Sequence, residues 1–183
     1  MLVVEIAWTD DVPEAALHAA AEGIEEEYGA TVTFAGPFPV PAQAFDATRG
    51  QYRASLVIAS VPPPRTALRQ LAIVGSDLYQ RGLNFVFGIA VGPRALISTA
   101  RLLQPGRAPA GDSVFLRRVK TEAVHELGHT FGLQHCSDSA CAMYFSNTLA
   151  DTDRKGYHLC ERCRRLAARA IDSIKGGSGT CSE

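Results

Sequence analysis

The segment from His125 to His135 constrains this chain more than any other feature, because it sets three histidines and a glutamate at fixed spacings. His125 and His129 are four residues apart, so on a helix their imidazoles share one face, with Glu126 turned roughly 100° from His125. Gly132 is expected to end this helix, so that the chain reverses and His135 returns as a third ligand. A catalytic zinc takes three protein ligands and keeps one position open. We therefore predict a catalytic zinc on the three histidines, with Glu126 as the catalytic general base. The alternative is a polar helix face followed by a loop histidine.

The cysteines are confined to the end of the chain, with none in the first 135 residues and five at positions 136, 141, 160, 163 and 181. A secreted disulfide framework would spread its cysteines more evenly. Four thiolates are the ligand set of a closed structural zinc site, while the alternatives are buried cysteines or a redox C-x-x-C pair. We predict a structural zinc on Cys136, Cys141, Cys160 and Cys163, which makes two zinc ions per chain. Cys181 is left over and is expected to be free.

The two predicted metal sites meet in the chain, because His135 and Cys136 are neighbours. Their Cα atoms lie about 3.8 Å apart, and their side chains can diverge to different metals. The structural zinc would then brace the loop that supplies the third catalytic ligand. We therefore expect Cys160→Ser to weaken metal binding at the histidines as well.

Strand and helix patterns alternate along the chain, which favours an α/β or α+β fold. Asp10, Asp11 and Pro13 are helix-start signals, and residues 51–60 fit either a strand or a helix. Residues 104–112, rich in Pro and Gly, are predicted to form a surface loop. The other predicted strands cover residues 2–8, 31–35, 71–74, 84–91 and 95–98, and the later helices cover 113–131 and 161–175. We expect one domain over 1–175, with subdomains 1–132 and 133–175, and a flexible tail over 176–183.

The formal net charge of −1 gives no electrostatic argument for binding nucleic acid or an anionic membrane. No apolar stretch reaches the ~20 residues of a membrane-spanning helix, and the N-terminus lacks the pattern of a secretion signal. We expect a cytoplasmic monomer that binds no nucleic acid and no membrane. A basic stripe on the last helix leaves nucleic-acid binding open, although a solvated helix face is more common; its members are Arg162, Arg164, Arg165 and Arg169.

The segment from His125 to His135 is the metzincin zinc signature, and with the four cysteines and Met143 the chain resembles the archaemetzincins. The resemblance implies a metzincin-like twisted, mixed five-stranded sheet with an active-site helix and a small C-terminal subdomain stapled by zinc. It makes Met143 the methionine of the turn beneath the catalytic metal, and it places Ile58 in a helix. It also implies that an edge strand turns the backbone of Gly88, Ile89 and Ala90 toward substrate, the alternative being an ordinary edge strand.

Two functions follow as expectations. The first is a zinc metallopeptidase that hydrolyses peptide bonds of a peptide or protein substrate, with water activated by the metal and Glu126 as base. The second is a zinc-braced protein that binds peptides or partners with little or no turnover. It is motivated by Phe145, which stands where many metzincins carry a tyrosine that stabilises the tetrahedral intermediate.

Overall fold

The computed structural model describes residues 1–103 and 112–177. Two parts of the predicted segments lie outside the described residues. They are residues 104–111 of the predicted loop and residues 178–183 of the predicted tail, which include Cys181. The strands are β1 Val3–Trp8, β2 Thr31–Pro37, β3 Phe45–Asp46, β4 Gln51–Arg53, β5 Arg69–Val74, β6 Leu78–Tyr79, β7 Gly88–Val91 and β8 Arg94–Ser98. The helices are α1 Glu14–Tyr28, a 3-10 turn at Ala42–Ala44, α2 Ala54–Ser60, α3 Ser113–Thr130, α4 Leu149–Lys155 and α5 Glu161–Gly177.

Five strands form the main sheet in the order β2-β1-β5-β8-β7. The first four run parallel, and β7 pairs antiparallel with β8 at the edge. The inner strands β1, β5 and β8 carry near-continuous apolar runs because both faces of the sheet are covered. A smaller sheet has the order β3-β4-β6. The predicted mixed five-stranded fold is confirmed.

The sheet separates two groups of helices. Alternate side chains such as Ile6 and Ile73 pack on one face with α1 and α3, while Ala72 and Leu96 pack on the other face with α2. On the first face, Tyr28 Oη donates to the Val124 carbonyl oxygen at 2.6 Å, which ties α1 to the middle of α3. Helix α3 is therefore held by contacts with both the sheet and α1.

The helix predicted from Asp10, Asp11 and Pro13 begins at Glu14, with Pro13 at its N-cap and no side-chain cap; the Asp11 carboxylate instead accepts hydrogen bonds from Thr9 Oγ1 and the Gly75 amide. One local prediction is wrong. The strand predicted over residues 84–91 begins only at Gly88. The residues before it are drawn toward the small sheet, because the carbonyl of Asn84 accepts from the Arg49 and Gln51 side chains.

Hydrogen bonds to one buried carboxylate on α1 anchor the C-terminal segment to that helix. Glu27 accepts hydrogen bonds from the Leu159 amide at 3.0 Å, from His158 Nδ1 at 2.7 Å and from Arg164 at 3.2 Å.

Residues 51–60 are partly strand and partly helix, and Ile58 lies in α2, as the family resemblance implied. Within the two described ranges, no helix is long and apolar enough to cross a membrane.

Candidate active site

Helix α3 carries the first two histidines and the glutamate. It begins with a side-chain cap, since Asp112 Oδ1 accepts hydrogen bonds from the Val114 and Phe115 amides. His125 and Glu126 are buried, with exposed fractions of 5% and 6%, whereas His129 is half-buried. The opposite face of the helix packs into the apolar core, as the helical period predicts. The side chains for chemistry are therefore held on a rigid element.

Gly132 ends α3 in the way the sequence predicts. Its φ of 81° lies in the left-handed region, which favours glycine. The Gly132 amide donates to the His129 carbonyl and the Leu133 amide donates to the Gly128 carbonyl, which together form a Schellman motif. The reversal returns His135 to the helix, with its ring centroid 5.4 Å from His125 and 5.0 Å from His129.

The three imidazoles present nitrogens to one point. One nitrogen from each of the three histidines lies within 4.8 Å of the others. The Nδ1 atoms of His125 and His129 are bonded to carbonyl oxygens, at 2.7 Å to Ala142 and 2.8 Å to Leu133, so both Nε2 atoms face the shared point. These Nε2 atoms are 3.2 Å apart. Tetrahedral zinc with bonds of ~2.0–2.1 Å requires about 3.3 Å, so the site fits zinc.

Burial lowers the pKa of all three histidines, and it lowers the pKa of His125 most strongly. The ammonium of Lys155 also contributes to the lowered pKa of each ring by charge repulsion. A neutral imidazole is the form that binds a metal. The histidines are thus held in their ligand form at neutral pH.

The four predicted cysteine ligands also come together. Their sulfur atoms lie within 4.8 Å of one another, and all four are free thiols. The sulfurs of Cys136 and Cys160 are 3.8 Å apart, close to the separation of about 3.8 Å that follows from zinc–sulfur bonds of ~2.3 Å in a tetrahedron. Cys141 and Cys163 are buried. The cluster therefore fits a closed structural zinc site.

A short hydrogen-bond ladder links the two ligand sets. The Cys136 amide donates to the Met143 carbonyl at 2.9 Å, and the Ala142 amide donates to the His158 carbonyl at 2.8 Å. The Ala142 carbonyl in turn contacts His125. Met143 lies fully buried against α3, where a Cβ on Gly128 would fall 2.4 Å from its sulfur. The turn at Met143 thus packs between the cysteine loop and the histidine helix.

Glu126 packs beneath the edge strand β7. A Cβ on Gly88 would lie 2.5 Å from Glu126 Cγ, so a glycine is needed for this approach. Burial and, to a lesser degree, the neighbouring Glu122 carboxylate raise the pKa of Glu126 to about 8. A divalent cation at the histidines would favour the ionised carboxylate and oppose this shift.

A buried ion pair beside the histidines has no counterpart in the sequence-based predictions. Lys155 Nζ lies 3.3 Å from Glu122 Oε1 and 3.2 Å from His125 Nδ1, and both charged side chains are at most 3% exposed. Thr152 Oγ1 also donates to Glu122. Thr148 and Asp151 form a capping box at the start of α4, the helix that carries Lys155. Their spacing in the sequence is a helix-start pattern, and it could have predicted this helix.

The remaining candidates occupy other surroundings. His158 is exposed and paired with Glu27, so it does not join the metal-ligand groups of the described ranges. In the basic stripe, Arg164 pairs with Glu27 and Arg165 pairs with Glu161. Phe145 lies beside the third histidine, with ring centroids 4.8 Å apart.

The histidines and Glu126 open onto a cleft of about 500 Å³. Its upper wall is β7 with the preceding residues, including the predicted Gly88, Ile89 and Ala90. Its lower wall includes Phe145, Ser146 and Asn147 from the segment after Met143. The cleft thus brings every predicted catalytic residue to one surface.

Sequence comparisons find a matching family and similar proteins. A family model described as peptidase family M54 matches residues 65–169. The archaemetzincin of Natronomonas pharaonis is 39% identical over 169 residues, covering 88% of this chain and 97% of the relative.

Solved structures match over most of their length. The archaemetzincin of Methanopyrus kandleri superimposes with a TM-score of 0.82 at 36% identity, over 93% of this chain and 96% of its own. A zinc-dependent peptidase from Methanocorpusculum labreanum superimposes with a TM-score of 0.79 at 29% identity, over 90% of this chain and 99% of its own.

Proposed function

The chain belongs to peptidase family M54, the archaemetzincins, and is a zinc metallopeptidase, and we propose that it hydrolyses peptide bonds with Glu126 as general base. The observation that carries this proposal is the convergence of three histidine nitrogens beside a buried glutamate in one cleft. We propose two zinc ions, one on His125, His129 and His135 and one on Cys136, Cys141, Cys160 and Cys163.

The chemistry divides between metal and protein. Zinc, when bound to the histidines, supplies Lewis acidity that makes water acidic and polarises a carbonyl group. Glu126 accepts the proton of the attacking water and returns it to the leaving amine, a role that its position in the cleft allows. A divalent cation at the histidines would oppose the burial that raises the pKa of Glu126, which favours the ionised carboxylate that accepts the proton.

The edge strand β7 is the proposed binding site for the substrate backbone. Within the described residues, β7 is hydrogen-bonded to a neighbouring strand on one side only, where it pairs with β8. It also lines the cleft. A peptide can add to such an edge as a further strand through main-chain hydrogen bonds. We propose that the backbone of Gly88, Ile89 and Ala90 makes these bonds and lays the scissile bond over Glu126.

Cleavage of a defined peptide mixture tests the proposal. Zinc-loaded protein is incubated with a tryptic digest of casein, and new termini are identified by mass spectrometry. We expect cuts that disappear when the metal is removed with a chelator and return when zinc is restored. Retention of peptides without cuts, with both metal sites filled, would support a peptide-binding protein instead.

A further inference from the structure

Two residues that line the cleft each have one buried side-chain polar atom without a hydrogen-bond partner. The atoms are Ser146 Oγ and Gln80 Oε1, and both residues line the cavity that contains Glu126. Within the described parts of the chain, four buried side-chain nitrogen or oxygen atoms lack a hydrogen-bond partner. The other two belong to Arg53 and Gln70, which do not line this cleft. Two of these four atoms therefore belong to residues that line the proposed substrate cleft.

An unpartnered buried polar atom destabilises a folded protein, so each such atom calls for a physical reason. A ligand that supplies the missing partner is one such reason. Other polar groups near the cleft already have partners: Lys155 contacts Glu122, and the Asn84 carbonyl accepts from Gln51. Ser146 and Gln80 thus differ from their neighbours in having hydrogen-bonding capacity to spare.

The two residues belong to different segments of the cleft lining. Ser146 follows Phe145 on the lower wall, in the segment after Met143, and Phe145 itself offers no hydroxyl there. Gln80 follows the short strand β6 and belongs to the upper wall. A hydroxyl can donate to a carbonyl oxygen, and the oxygen of a side-chain amide can accept from an N–H group. These are the two groups that alternate along a peptide backbone.

We propose that the side chains of Ser146 and Gln80 turn into the cleft that they line and bind the main chain of the substrate, Ser146 by donating to a peptide carbonyl and Gln80 by accepting from a peptide N–H. The inference rests on the proposed peptidase function and assigns two further substrate-binding residues to its cleft. Contacts to the main chain would hold a peptide between the walls whatever its side chains. Both residues then act on binding and positioning, and neither moves a proton in the reaction.

The test uses Ser146→Ala and Gln80→Met in the zinc-loaded protein. We expect kcat/KM for a peptide that the parent protein cleaves to fall about three- to tenfold in each variant, the usual effect of losing one uncharged hydrogen bond. Because neither atom has a partner in the free protein, we also expect the melting temperature of each metal-loaded variant to stay the same or rise. A purely structural role would lower it.

Ser98→Ala is the matched control for stability. Ser98 Oγ is a buried hydroxyl with a partner, since it donates to the Ser76 carbonyl at 2.7 Å, and Ser98 does not line the cleft. We expect this control to lower the melting temperature, in contrast to Ser146→Ala. Unchanged kcat/KM in both cleft variants, or a loss of melting temperature like that of Ser98→Ala, would overturn the inference.

Peptide retention separates this inference from the proposed function. Casein peptides are passed over immobilised, zinc-loaded Glu126→Ala protein, with and without Ser146→Ala or Gln80→Met. Weaker retention in the double variants supports the inference even if the parent protein cleaves nothing. Cleavage and retention that are both indifferent to these substitutions would refute it while leaving the peptidase intact. A parent protein that neither cleaves nor retains peptides would remove both proposals.

Discussion

Replacing Cys160 by serine is expected to weaken zinc binding at the histidine site, although Cys160 is not one of its ligands. Its sulfur lies 3.8 Å from that of Cys136, so the substitution removes one ligand of the cysteine cluster and frees the loop that Cys136 anchors. His135 is the preceding residue in this loop. The Cys136 amide is also bonded to the Met143 carbonyl, so the methionine turn loses the same anchor.

The size of the effect follows from how many histidines depend on this loop. His135 depends on it through the chain, and His125 depends on it through the Ala142 carbonyl, 2.7 Å from its Nδ1. His129 does not, because its Nδ1 contacts the Leu133 carbonyl in the turn that ends α3. Loss of one outer contact lowers metal affinity about 10- to 100-fold. With two of the three ligands loosened, the lower end of this range applied twice gives a loss of about 100-fold in zinc affinity, or about 2.7 kcal/mol.

The assay is competition for zinc against a chromophoric chelator, with total metal measured by elemental mass spectrometry. Cys181→Ser is the matched control, because it also removes one thiol and Cys181 is not one of the four proposed ligands. The control should bind two zinc ions with the affinities of the parent protein. If Cys160→Ser loses the structural zinc while the histidine site keeps its full affinity, the reasoning on the shared loop is refuted.

Three further predictions concern packing and buried charge. Gly128→Ala should lower the free energy of unfolding by about 1–3 kcal/mol in thermal melts, because its Cβ would lie 2.4 Å from Met143 Sδ. Lys155→Met should cost about 3–5 kcal/mol in urea unfolding by leaving the buried carboxylate of Glu122 unpaired, and adding Glu122→Gln should recover most of that loss. Burial alone would raise the pKa of Glu27, but hydrogen bonds and the nearby guanidinium outweigh it and lower the pKa below 4.5. Its stabilisation is therefore complete above that pH and lost as the pH falls through the folded-state pKa, a dependence that urea unfolding should find reduced in Glu27→Gln.

Each of these three has a contrary result. Gly176→Ala is the control for Gly128, because a Cβ at Gly176 meets nothing within 4 Å, and equal melting temperatures for the two variants would contradict the packing argument. Additive losses in the Lys155 and Glu122 double variant would show that the two charges do not interact. An acid transition that is identical in Glu27→Gln and the parent protein would remove Glu27 as its source.

The grouping of the three histidines and of the four cysteines could be predicted from the sequence because their spacing is governed by local geometry. The four-residue step from His125 to His129 and the helix stop at Gly132 depend only on helical period and backbone freedom. The cysteines stand out because no other part of the chain contains them. The inner strands could be located for a similar reason, since strands buried on both faces are apolar throughout.

Features that depend on distant contacts could not be predicted. Lys155 is separated from Glu122 by 33 positions, and nothing local distinguishes it from a surface lysine. The strand predicted from residue 84 begins only at Gly88, because Arg49 and Gln51 bind the backbone carbonyl of Asn84. The missing partner of Ser146 appears only when all neighbours are in place. Tertiary contacts decided each of these outcomes.

The most direct test of the central claim is the turnover rate of Glu126→Gln on a peptide that the parent protein cleaves, with zinc measured in the same samples. The amide keeps the size of the side chain but cannot accept the proton. We predict two zinc ions in both proteins and a fall in kcat of about 10²–10⁴-fold in the variant, the usual contribution of a general base. A variant that keeps both zinc ions and the full rate would contradict the assignment of Glu126 as general base.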